Sequence, residues 1–277
     1  MTIGIVGLGL IGGSLAKALK ASGNHRVLGY NRSENIIKDA LAEGAIDEAL
    51  ERDNLSQCDV VLISLYPDDA INYIEANGTF MKKGAIVMDC CGTKRKICAS
   101  LEEAAAQNGF YFVGGHPMAG IEKSGFANSF STLFKNASLI LTPYENTPSH
   151  IIDTLIELSK EIGFGSVCVT TPEEHDRMIA YTSQLAHAVS CAYIDSPLAE
   201  KTRGFSAGSF RDMTRVARLN EQMWAQLFLE NANELCGEID AFCQRLQALR
   251  KTISSGDYDE LISSLRRSKT AKENLDA

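Results

Sequence analysis

The sequence predicts an α/β protein in two parts: an N-terminal, Rossmann-type doubly wound sheet followed by an all-α domain. Three observations carry this. Over the first half, short apolar β-rich runs alternate with helix-period segments, the pattern of a parallel sheet covered on both faces. The first run opens directly into Gly7-Leu8-Gly9-Leu10-Ile11-Gly12, the strand-to-helix turn of dinucleotide-binding βαβ units. After Thr170 no convincing strand pattern recurs, and helical periodicity runs to the end.

Taken in order, Ile3–Val6, Val27–Tyr30, Val60–Leu65, Ala85–Met88 and Tyr111–Val113 read as buried strands. Between them Leu10–Ser22, Glu34–Glu43, Asp69–Phe80 and Lys96–Asn108 read as helices. Ser138–Leu141 and Val167–Val169 read as two further strands flanking a helix at Ser149–Ile162. Pro172, Pro197 and the Gly204–Gly208 region punctuate the helical half. The division falls within 163–171, giving a dinucleotide-binding domain over 1–166 and a helical domain over 167–277. Its apolar faces suit a dimerisation body, and polar Ser268–Ala277 is expected to fray.

At 277 residues the chain is long enough for about two domains. With 45% hydrophobic and 22% charged residues it is ordinary globular material, which excludes disorder, collagen and a coiled-coil rod. A net charge of −8 and a pI near 5.2 argue against nucleic acid and anionic membranes as partners. An anionic substrate would need a local cluster of Lys and Arg. No apolar run approaches the ~20 residues of a membrane span. Ile3–Leu19 carries five glycines and no preceding basic residue, which a signal peptide would need. The eight cysteines form no CxxC pair, so a reduced, cytoplasmic thiol set is expected, with no metal site.

The glycine turn has a distinct job at each position. Gly7 permits the tight turn, Gly9 admits a pyrophosphate, and Gly12 lets helix pack on strand. Leu10 and Ile11 open the helix whose N-terminus favours negative charge. After the second strand, where NAD-binding units carry an acid, stands Asn31, then Arg32 and Ser33. A carboxylate ~4 Å from a 2′-phosphate would cost roughly 1–4 kcal/mol. Its absence predicts NADP as preferred cofactor, with NAD the alternative. Ser64, Leu65 and Pro67 follow the third strand, and Asp89 to Lys94, with Gly92 and Thr93, the fourth. His116 follows the fifth, at the carboxyl edge where such sheets bind ligands, and imidazole suits proton acceptance near neutral pH. Arg211, Arg215 and Arg218 are spaced to share one helix face and could bind carboxylates. Lys94, Arg95 and Lys96 at a helix start oppose its dipole, which hints at an anionic partner.

Four blocks carry a family resemblance: GLGLIGGS at 7–14, DCCGTK at 89–94, GGHPMAGIEKSG at 114–125, and SFRDMTRVA at 209–217 followed by Trp224. Together, in order and over nearly the whole chain, they resemble the prephenate dehydrogenase family, which includes arogenate dehydrogenases. The resemblance implies oxidative decarboxylation of prephenate, or of arogenate, with NAD or NADP in tyrosine biosynthesis, and a homodimer built on the C-terminal helices. It implies His116 as the catalytic histidine on the ring hydroxyl and Arg215 as the carboxylate-binding arginine. It places His187, Glu122, Trp224 and Asp176 at the substrate pocket, Asp176 near the dimer interface. Gly92 departs from the pattern. Many members have there a serine that hydrogen-bonds the histidine and the substrate hydroxyl, and Thr93 is the expected substitute. The runner-up, a β-hydroxyacid dehydrogenase, uses a lysine on the first helix of the second domain, and Tyr181–Tyr193 has none. A non-catalytic NADP-binding sensor is the reading from another class.

Overall fold

The structure is a computed structural model describing residues 1–276. Eight strands form one sheet: β1 (Thr2–Val6), β2 (Arg26–Tyr30), β3 (Glu48–Ala49), β4 (Val60–Ile63), β5 (Ile86–Asp89), β6 (Tyr111–Pro117), β7 (Ser138–Pro143) and β8 (Ser166–Val169). The spatial order is β3-β2-β1-β4-β5-β6-β7-β8. Its first six strands are parallel and reproduce the 3-2-1-4-5-6 order of dinucleotide-binding sheets. The helices between them are α1 (Leu10–Ser22), α2 (Glu34–Ala42), α3 (Arg52–Leu55), α4 (Pro67–Asn77), α5 (Arg95–Asn108) and α6 (Ser149–Ile162). α1 and α6 have the bounds the periodicity predicts.

Alternate residues of one strand serve opposite faces. Val60 and Leu62 join the core under α1 and α6, with Leu15, Leu19 and Leu155. Val61 and Ile63 join the core under α4 and α5, with Ile74, Ile97 and Leu101. Burial on both faces explains why these strands read as unbroken apolar runs.

Three features depart from expectation. β7 pairs antiparallel with β6, and β8 parallel with β7, so the last two strands reverse the sheet. β6 runs on through His116 to Pro117, because β7 supplies partners for that stretch. β8 completes the sheet through Val169, so the strand straddles the expected 166/167 division.

The helical part comprises α7 (Pro172–Ile179), a π-helical turn (Ala180–Gln184), α8 (Leu185–Ile194), α9 (Gly208–Thr214), α10 (Glu221–Glu230), α11 (Ala232–Ser255) and α12 (Tyr258–Asp276). Thr171 caps α7 by accepting from Glu174 N, with Pro172 at the first position. Ser268–Asp276 does not fray but continues α12, and Ala277 lies outside the described residues. α9, α10 and α12 contain no buried residue. Leu229 and Phe205 are 77% and 92% exposed, and Leu246, Ile253 and Leu265 are exposed on α11 and α12. No helix among the described residues is long and apolar enough to cross a membrane.

Candidate active site

The glycine turn lies at the carboxyl edge of β1. Gly7 has φ +92°, and a Cβ there would lie 2.5 Å from the carbonyl oxygen of Ser64, so only glycine fits. A Cβ on Gly12 would collide with the carbonyl oxygen of Gly7. Gly9, the N-cap of α1, faces open space, and no side chain caps the helix or places an acid in its first turn. The first N–H groups of α1, at Leu10 and Ile11, therefore open onto the space beside Gly9. Leu8 N donates to Asn31 Oδ1 at 3.1 Å, which ties the end of β2 to this turn. Arg32 and Ser33 are exposed beside it. Ser64 Oγ is buried, Leu65 packs on the α4/α5 core, and Pro67 starts α4. A bare cradle, free donors and no carboxylate fit a dinucleotide pyrophosphate.

His116 sits half-buried near the end of β6. Its Nδ1 is 2.9 Å from Nε2 of His175, and Nδ1 of His175 is 2.7 Å from Asp176 Oδ1. His175 and Asp176 stand in the first turns of α7 and are each 1% exposed. Burial, and then the neighbouring His175 and Lys94, push the His116 pKa well below the usual histidine value. Burial also lowers that of His175, against the pull of Asp176. Asp176 resists the upward push of burial because His175, Arg95 N and Lys94 N all donate to it. The sequence pattern missed His175; the only signal was its place beside Asp176 in the capped start of a helix.

Asp176 is therefore not open to a substrate, contrary to expectation. Its carboxylate caps α5 from the other domain, accepting from Lys94 N at 2.8 Å and Arg95 N at 2.9 Å. Thr93 does not replace the missing serine either. It is buried, and its hydroxyl donates to Glu230 Oε2 at 2.6 Å. Gly92 lies under Leu227 of α10, whose methyl carbons would be 3.2 and 3.3 Å from a Cβ at that position.

The anionic partners of the 94–96 cations belong to the chain itself. Lys94 is fully buried against Asp89, Arg95 pairs with Glu234 at 2.8 Å, and Lys96 pairs with Asp68 and Glu230. Asp89 also accepts from Cys91 N and Gly115 N, so it holds the β5 and β6 ends together. Burial disfavours the Lys94 cation, but Asp89 together with the Cys91 and Cys98 thiols outweighs it and the pKa rises.

Arg211, Arg215 and Arg218 come together, though not as one helix face. α9 stops at Thr214, Arg215–Ala217 is a 3-10 turn, and Arg218 leaves it in a non-helical conformation. With Glu122, Gly208, Asp212 and Thr214 they line an open recess of about 650 Å³. Arg215 Nη1 donates to Glu122 Oε1 at 2.7 Å, in the loop that continues from His116. A backbone hydrogen bond within Glu122, and then Arg215, hold this carboxyl below its usual range. His187 stacks on Trp224 with centroids 3.7 Å apart and donates from Nδ1 to Ser183 O. Burial, and Arg215 beyond it, lower its pKa.

The class follows from the architecture. A sheet in this strand order, a glycine cradle at its carboxyl edge and a helical domain meeting the same edge define a two-domain, dinucleotide-dependent oxidoreductase. Residues 15–168 match the model of the prephenate dehydrogenase nucleotide-binding domain, and residues 171–267 that of the prephenate dehydrogenase dimerization domain. A cyclohexadienyl dehydrogenase of Zymomonas mobilis is 34% identical over 280 residues, covering 98% of this chain and 94% of that one. The prephenate dehydrogenase from A. aeolicus, solved with hydroxyphenyl propionate and NAD+, superposes with a TM-score of 0.88 at 29% identity, covering 99% and 98% of the two chains. An arogenate dehydrogenase from Synechocystis gives 0.85 at 28% identity, covering 99% and 100%. The chain belongs to the prephenate dehydrogenase family, NAD(P)-dependent oxidoreductases.

Proposed function

We propose that the protein oxidatively decarboxylates prephenate to 4-hydroxyphenylpyruvate, with arogenate as the alternative substrate. The observation that carries this is the loop after β6. Just before it, near the end of β6, stands His116, a neutral imidazole, and along the loop Glu122 receives Arg215 from the helical domain. The loop thus joins a proton acceptor to a carboxylate-binding recess.

In this reading the first turn of α1, Gly9 and the Asn31–Ser33 segment hold the cofactor, with Ser64, Leu65, Pro67 and Gly92 along the same edge. A bound nicotinamide dinucleotide supplies the hydride acceptor. His116 takes the proton of the ring hydroxyl as the ring carbon is oxidised. Arg215, with Arg211, fixes a substrate carboxylate by paired hydrogen bonds. The His187–Trp224 stack walls the ring. The ring carboxylate leaves as carbon dioxide, its bonding electrons pass through the ring to the oxygen, which regains the proton from His116, and the resulting aromatic ring makes the step irreversible. Glu122 holds Arg215 in place until a substrate carboxylate competes for it.

Asn31 presents no carboxylate, and exposed Arg32 and Ser33 suit a 2′-phosphate, which supports NADP over NAD. Steady-state kinetics at 340 nm, with prephenate and arogenate against both cofactors, test these points together. The expected result is turnover, with kcat/KM higher for NADP. A large NAD advantage would overturn the cofactor preference. Cofactor binding without turnover on either substrate would favour the sensor reading. Family membership removes the support for a β-hydroxyacid dehydrogenase.

The exposed apolar side chains of α10 to α12 support a homodimer through the helical domain, since a single copy leaves them in water. Light scattering should return twice 30.1 kDa; a monomer at micromolar concentration would contradict it. Eight unpaired thiols support a cytoplasmic location. The −8 charge supports a small-molecule substrate rather than nucleic acid.

A further inference from the structure

His116 needs an orienting partner, and the nearest sequence positions provide none. Gly92 has no side chain and is roofed by Leu227. The Thr93 hydroxyl is committed to Glu230. The side-chain partner of His116 in this structure is His175. We propose that His175 and Asp176 are positioning residues that lock His116 in its Nδ1–H tautomer, so that Nε2 carries the lone pair offered to the substrate hydroxyl. This rests on the reading of His116 as the base.

The proton positions are set from the carboxylate inward. Asp176 is met by N–H donors on both oxygens: Lys94 N on Oδ1, Arg95 N on Oδ2, and His175 Nδ1 on Oδ1. A carboxylate so surrounded only accepts, so His175 Nδ1 carries a proton. In a neutral His175 the other nitrogen, Nε2, is then an acceptor. His116 Nδ1 must donate to it across 2.9 Å, and His116 Nε2 is left unprotonated. A cationic His175 would reverse the second link and leave His116 with a proton on Nε2, useless as a base.

The surroundings select the neutral state. His116 faces His175 from α7 and Lys94 from the start of α5; His175 faces Asp176, Lys94 and, farther off, Asp89. The Asp89 carboxylate is already engaged by Lys94 Nζ, Cys91 N and Gly115 N. Burial outweighs the pull of Asp176, whose oxygens are shared with backbone donors, and of Asp89, which Lys94 already holds, so His175 stays neutral.

The lock is also held mechanically. Asn231 Nδ2 donates to the backbone oxygen of Asp176 at 2.8 Å and to Gln184 Oε1 at 2.8 Å. Gln184, in the π-helical turn, donates to Leu227 O at 3.0 Å. The residue that roofs Gly92 and the residue that anchors His175 are thus in one hydrogen-bonded frame. A base oriented by a second group that is itself oriented by a carboxylate follows the general logic of activated catalytic groups. Here the orienting groups lie on the other domain.

The test is the nitrogen-15 spectrum of histidine-labelled full-length protein at neutral pH. The chain has five histidines, and the His116→Asn and His175→Gln variants assign the two signals. The expected result is a protonated Nδ1 and a bare Nε2 for both His116 and His175. A proton on His116 Nε2, or a doubly protonated His175, would overturn the proposal. In kinetics, His175→Gln should lower kcat by about tenfold to a thousandfold with KM little changed, and its His116 signal should lose the pure Nδ1–H pattern. Unchanged kcat and an unchanged His116 signal would equally overturn it. If His175→Gln does not fold, the wild-type spectrum decides alone, with His175 assigned by pairing to His116. Absence of turnover by the wild-type protein would sink the functional reading and leave the spectrum standing; the wrong tautomer in an active enzyme would sink only the positioning role.

Discussion

His116→Asn is expected to lower kcat by about a hundred- to ten-thousandfold, the usual range for loss of a general base. Asparagine is close in size and keeps a polar group toward His175, so the thermal transition should stay near that of the wild type. The pH profile adds a second signature. The His116 pKa is lowered by burial and by the His175 and Lys94 neighbours, so the imidazole is already neutral at pH 7. The kcat/KM profile of the wild type should be flat through neutrality and fall only on acidification well below pH 6.5. His116→Asn should remove that acidic limb. Stability follows the same sign. Below about pH 6.5 the histidines of the unfolded chain take up protons that buried His116 and His175 refuse, so acidification favours the unfolded state. Wild-type kcat in His116→Asn would show that the base lies elsewhere.

Arg215→Ala should chiefly raise KM. Truncating a charge-assisted contact to a substrate carboxylate costs about 1.5–3 kcal/mol, which is roughly ten- to a hundredfold. If the contact is equal in ground and transition states, kcat changes little. Stability should hardly move, because the pair with Glu122 is exposed, and such pairs contribute about 0–1 kcal/mol. Arg215→Lys keeps the charge without the planar fork and should fall between the two. An unchanged KM with reduced kcat would place Arg215 at the reacting centre rather than at a carboxylate.

The parts of this molecule that sequence reveals are those encoded along the chain. Gly7 and Gly12 identify the cofactor turn because local backbone geometry leaves no room there for a side chain, and Gly9 completes the spacing of the turn. The bounds of α1 and α6 follow from apolar periodicity. His116 stands out because it lies at the carboxyl end of a strand, at the ligand-binding edge. The hidden parts are encoded across the chain. Nothing local tells that β7 runs against β6, since an amphipathic run has the same pattern in either direction. Lys94 reads as a helix-start cation, whereas burial against Asp89 is a matter of sheet register. The family resemblance places Asp176 at the substrate pocket, and only the docking of α7 on α5 shows that backbone N–H groups consume it. Arg211, Arg215 and Arg218 do converge, but through a broken helix that spacing alone would draw as a straight one.

On the proposed function, His116 from the sheet and Arg215 from the helical domain act on one substrate molecule. A crystal structure of the protein with a ring-hydroxylated, carboxylate-bearing analogue and oxidised dinucleotide tests it most directly. Nε2 of His116 should lie within hydrogen-bond distance of the ring hydroxyl while the Arg215 guanidinium grips a carboxylate of the same molecule. An analogue bound with Arg215 still on Glu122 and turned away from it, or with its hydroxyl remote from His116, would contradict the account.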